Sequence, residues 1–113
     1  MKIAFTATGP DWDAKIDARF GRAAYLVFWD EESRELTSLD NSVAINSAHG
    51  AGTATAQKMF DYKPHVMITG NGPGESASNA LKRLKMKIFV DAHGLTLEAA
   101  YQMYRDGKLK HLQ

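Results

Sequence analysis

His49 stands in the stretch Asn46-Ser47-Ala48-His49-Gly50-Ala51-Gly52, an imidazole beside two glycines where a strand-rich first half gives way to helices. Such a residue can coordinate a metal or donate to a charged group. Gly50 and Gly52 let backbone approach a ligand closely, and a helix N-terminus behind them offers free N–H groups to an anion. A second glycine-rich turn, Gly70-Asn71-Gly72-Pro73-Gly74, follows the next apolar run and has the same capacity through Gly70, Gly72 and Gly74. In Asp91-Ala92-His93-Gly94, His93 supplies another imidazole beside a glycine. Arg19, in Asp17-Ala18-Arg19-Phe20-Gly21-Arg22-Ala23, can act as an anion clamp, because a guanidinium stays charged and presents a fork of donors. The same block can equally be a structural turn with Phe20 tucked into the core.

Cysteine is absent, which removes disulfides, thiol catalysis, thiolate zinc sites and iron–sulfur ligation by protein sulfur. A metal would have to be met by histidine, carboxylate or backbone. His49 and His93 are therefore the expected metal ligands, while His65 and His111 read as surface residues. With 14 basic against 13 acidic residues the charge is balanced, which argues against general binding to nucleic acid or a membrane surface. No apolar run approaches the roughly 20 residues that span a bilayer. The chain opens directly on a strand-like run with no visible signal peptide, so the cytoplasm is the expected compartment.

The elements that must position these residues follow from hydrophobic patterning. Lys2 to Ala7, Ala24 to Trp29 and Glu35 to Asn41 read as three strands, the last at a sheet edge. The polar turn Asp30 to Arg34 makes the second and third antiparallel. Gly52, Ala56, Met59 and Phe60 mark one face of a helix that stops before Pro64. Val66 to Ile68 is a strand; Ala77, Ala80, Leu81 and Leu84 give a helix; Ile88 to Val90 is the next strand. Thr96 caps a last helix carrying Leu97, Ala100, Tyr101 and Tyr104 on one face and ending near Gly107. The order is βββαβαβα in a single domain spanning 1–113.

Right-handed crossovers then predict an α/β fold of ribonuclease H-like topology: a five-stranded mixed sheet in the order 3-2-1-4-5, strand two antiparallel, flanked by helices. The first, third, fourth and fifth strands end at one edge, where open α/β sheets bind ligands. His49, His93, both glycine turns and the loop leading to Arg19 are expected there, with His65 at the opposite end. The first strand carries no carboxylate to hold magnesium, so nuclease chemistry is not expected, and no nucleophile elbow is readable. The Gly70 turn lacks a Walker lysine and dinucleotide spacing, which makes a phosphoryl-ligand enzyme the weakest reading. Binding is favoured over catalysis.

The opening Lys2-Ile3-Ala4-Phe5, the Arg19 to Ala23 block, His49-Gly50-Ala51-Gly52, the turn at Gly70 to Gly74 and the closing Thr96 to Leu109 segment together resemble the dinitrogenase iron–molybdenum cofactor biosynthesis domain family over nearly the whole chain. The resemblance implies a ribonuclease H-like fold and a non-enzymatic domain that transiently binds or carries an iron–sulfur or iron–molybdenum cluster, or its precursor, during nitrogen-fixation cofactor assembly. It further implies metallocluster assembly or acceptor proteins as partners. Cofactor-binding members can have a histidine just before the Phe-Gly pair, where this chain has Arg19, a residue that does not ligate iron in the ordinary way. The competing reading is a metal-independent module that regulates a partner protein.

Overall fold

The computed structural model describes residues 1–20, 22–41, 58–59, 61–71 and 85–112. Its centre is β1 (Lys2–Ala7), whose residues from Ile3 onward are all buried. A strand with both faces covered must be apolar on both, and Ile3, Phe5 and Ala7 face one core while Ala4 faces the other. β2 (Tyr25–Asp30) pairs antiparallel with β1, and β3 (Glu35–Asp40) antiparallel with β2. The connecting turn is held by Asp30, whose Oδ1 accepts from the Glu32 and Ser33 N–H groups at 3.0 and 3.3 Å. Those bonds, the Ser33 one first, hold the Asp30 carboxyl below its ordinary range. Arg34 completes the turn with a positive φ of 59°.

On the other side of β1, β4 (Val66–Ile68) pairs parallel with β1, and β5 (Lys87–Val90) parallel with β4. The expected order and the antiparallel second strand are both present. The sheet departs from the expected five strands in having a sixth. β6 (Lys110–His111) runs antiparallel to β5, giving the order β3-β2-β1-β4-β5-β6. Two exposed polar residues carry no period-two pattern, so the strand is invisible in sequence. The Leu112 N–H donating to the Ile88 carbonyl at 2.8 Å fastens it.

The helix preceding β6 is α1 (Leu97–Arg105), and it forms where the sequence places it. Thr96 accepts the Ala99 N–H at 3.1 Å as N-cap, Glu98 lies in the first turn and Arg105 in the last. Gly107, at φ 72°, closes it by donating to the Tyr104 carbonyl at 3.1 Å. Leu97 and Ala100 are fully buried against the face holding Ile3, Phe5, Val27 and Ile68. The opposite face is filled by Phe20, Leu26, Phe28, Met59 and Met67, so Phe20 is a core residue, as the structural-turn reading of its block has it. Of the helix expected to end before Pro64, residues 58–59 and 61–62 are helical and Met59 is buried. The helix carrying Ala77 to Leu84 lies outside the described residues.

Candidate functional site at the carboxyl edge

β1, β3, β4 and β5 point the same way, so the loops after them share one edge. One part of that edge is built around Gly70. A Cβ placed on Gly70 would lie 2.5 Å from Ala18 Cα, 2.8 Å from His93 Cβ and 2.9 Å from the Asp17 carbonyl oxygen. Only glycine fits, because two of these atoms are backbone and cannot retreat cheaply. The reason for this glycine is therefore close packing of three chain segments.

Hydrogen bonds lock the segments together. The Gly70 and Asn71 N–H groups donate to the carbonyls of Asp17 and Ala18 at 3.3 and 2.7 Å, and the Asp91 N–H donates to the Gly70 carbonyl at 2.7 Å. Beneath them the buried hydroxyls of Thr6 and Thr69 meet at 2.7 Å. Thr6 also reaches the Asp17 carbonyl at 3.3 Å, and Thr69 the Asn71 carbonyl at 3.2 Å. The two hydroxyls are themselves fully buried, and these bonds give each of them its partners.

Asp17 is the residue that sequence reasoning passed over. It is 7% exposed, and its carboxylate accepts from the Arg19 backbone N–H at 2.9 Å, from Nε at 3.2 Å and from Nη2 at 3.3 Å. This two-point pair fixes the guanidinium at the edge while its side chain stays 59% exposed. The Asp17 hydrogen bond, and then its charge, hold Arg19 more firmly protonated. The fork is thus half committed: two side-chain donors serve Asp17, and among the described residues Nη1 and the outer N–H have no hydrogen-bond partner. An acid two residues before an arginine was the available signal, since Asp readily bonds the backbone two residues on.

His93 is exposed on the neighbouring loop, between Asp91 at φ 63° and Gly94 at φ 87°. Arg19, Gly70 and His93 are thus brought to one edge. His49, Gly50, Gly52, Gly72 and Gly74 lie outside the described residues. Among the described residues, no group of three or more His, Cys, Asp or Glu is arranged to hold a metal ion. His65 sits at the opposite end, its Nδ1 accepting the Lys2 N–H at 3.0 Å. His111 is exposed on β6, its ring 5.1 Å from that of Phe89. No helix of the described residues is long and apolar enough to cross a membrane.

Three comparisons bear on this arrangement. No curated protein matches the chain. Among solved structures, the apo form of the orange protein from Desulfovibrio gigas is 36% identical, with a TM-score of 0.91 over 98% of this chain and 92% of that one. A Thermotoga protein of the DUF35 family, described as NifB-like, is 27% identical, with a TM-score of 0.83 over 98% of this chain and 92% of its own. The family model for dinitrogenase iron–molybdenum cofactor proteins matches residues 1–107. The chain belongs to the dinitrogenase iron–molybdenum cofactor family.

Proposed function

We propose that this protein is a non-catalytic carrier or chaperone of an iron–sulfur or iron–molybdenum type metallocluster, or its precursor, held at the carboxyl edge of the sheet. Family membership ties the chain to metallocluster biosynthesis. The observation that supports a carrier is the wedge at Gly70, which packs against residues 17–18 and His93 and so sets a charged fork and an imidazole on one rim. Such clusters are anionic and present sulfur acceptors at their surface. A cysteine-free chain meets them with charge, N–H donors and imidazole, and these groups are the ones available. We extend the site to His49, Gly50, Gly52, Gly72 and Gly74, with His49 and His93 as the protein ligands to metal. The strand order is consistent with a ribonuclease H-like fold, and assembly or acceptor proteins in the cytoplasm are the partners this role requires.

The experiment is anaerobic transfer of a preformed iron–sulfur or iron–molybdenum cluster to the purified protein, followed by its visible absorption after gel filtration. Retention of the cluster, lost in His49→Ala and reduced in Arg19→Ala, supports the reading. No retention, or retention untouched by both substitutions, overturns it. A stoichiometric protein partner captured equally well by metal-free protein would favour the regulatory reading instead.

A further inference from the structure

The face of the sheet under α1 carries a pocket whose chemistry is opposite to that of the carboxyl edge. Trp12 folds back from the loop after β1 to meet Phe5, Trp29 and Tyr101, with ring centroids 6.0, 5.1 and 5.7 Å away. Its carbonyl accepts the Glu98 N–H at 3.3 Å, tying this loop to the start of α1. Between loop and helix lies an open pocket of about 370 Å³ walled by Trp12, Glu98, Tyr101 and Gln102. Trp12 and Tyr101 are both only half-buried, so two ring surfaces face it.

Two aromatic rings, one carboxylate and one amide discriminate strongly among ligands. An anion is repelled by Glu98, and a wholly apolar group would strip water from that carboxylate without replacing it. A cation gains from the rings and from the carboxylate together. The surrounding charge points the same way. Asp11 and Asp13 flank Trp12, and among the described residues neither they nor Glu98 has an ion-pair partner. Arg105 lies over the Tyr101 ring, its guanidinium carbon 5.8 Å from the centroid; that ring thus accepts a guanidinium, and the Trp12 ring and the Glu98 carboxylate are the groups left for an incoming one.

We propose that the pocket formed by Trp12, Tyr101, Glu98 and Gln102 docks a partner protein by receiving one of its arginine side chains. Arginine suits it better than lysine, because a planar guanidinium stacks on rings while its edge bonds a carboxylate and an amide oxygen. Tryptophan, tyrosine and arginine are the residues that dominate binding energy at protein interfaces. The inference is independent of the cargo reading: Arg19 and His93 take no part in it.

The test is a titration of the full chain, labelled with ¹⁵N, with a blocked Gly-Gly-Arg-Gly-Gly peptide and its citrulline counterpart, which keeps the shape and lacks the charge. The indole N–H signals of Trp12 and Trp29 are resolved by NMR. A saturable shift at Trp12 and at the Tyr101 amide is expected with the arginine peptide, at least fivefold weaker with citrulline. Glu98→Gln, an exposed substitution that leaves the rings in place, weakens arginine binding about two- to fivefold. Equal binding of both peptides, indifference to Glu98→Gln, or shifts centred on Arg19 and His93 would each overturn the proposal. So would the absence of any saturable shift at millimolar peptide.

Discussion

At the scale of single residues, Gly70 and Asp17 do what a residue's type alone does not reveal. Gly70→Ala puts a methyl group within 3 Å of two backbone atoms, and overpacking of that kind destabilises by about 1–3 kcal/mol. A urea titration of the variant should show a lower midpoint with an unchanged slope. Asp17→Ala leaves three Arg19 donors without their acceptor, but water reaches the exposed guanidinium, so the loss should be about 0.5–1.5 kcal/mol. Tyr101 gives a pH signature. Burial, and then its hydrogen bond to Glu31, raise the pKa of the phenol above its ordinary value. The neutral form is therefore favoured in the folded state. Its contribution is complete below the ordinary tyrosine value near 10 and is lost as pH rises through the higher folded value. Thermal melts of the wild type should fall more steeply above about pH 10 than those of Tyr101→Phe.

Among the elements, α1 was legible and β6 was not. The helix announces itself by a cap, an apolar stripe at helical spacing and a terminal glycine, signals local enough to survive without tertiary help. Thr96→Ala removes the acceptor of the Ala99 N–H and should lower stability by about 1 kcal/mol, measurable as a lower melting temperature. β6 exists because β5 has a free edge when the chain returns from α1. Its pairing of Phe89 with His111 and Val90 with Lys110 supplies backbone bonds to residues with no strand pattern of their own. Removing the chain after Leu109 should leave the fold intact, while the Ile88 to Val90 region gains amide exchange. Unchanged exchange there would mean that the strand contributes no protection in solution.

For the whole molecule, two cores share one sheet: Ile3 and Phe5 face one side and Ala4 the other, so neither layer can be lost alone. Urea unfolding followed by near-ultraviolet and far-ultraviolet circular dichroism should therefore give coincident transitions. Separate midpoints would show that the chain is more than one cooperative unit. Charge is also divided at this scale. The carboxyl edge presents Arg19, and the α1 face presents Glu98 beside Trp12, so the two surfaces offer side chains of opposite charge.

The sequence by itself determined five of the strands, their order, the last helix with its cap, and the family to which the chain belongs. The strands, their order and the helix follow from apolar periodicity, turn chemistry and the handedness of crossovers, while the family follows from the resemblance of whole sequence blocks, matched over residues 1–107. It also singled out Arg19, Gly70 and His93, whose loops a common strand direction must bring to one edge. Tertiary structure decided the rest. It made Gly70 a packing requirement, because the atoms that exclude a Cβ come from Ala18 and His93, far away in the chain. It gave Arg19 a fixed orientation through Asp17, and it turned Trp12 from a loop residue into the wall of a pocket. Each of these depends on distances between segments that only the closed sheet sets.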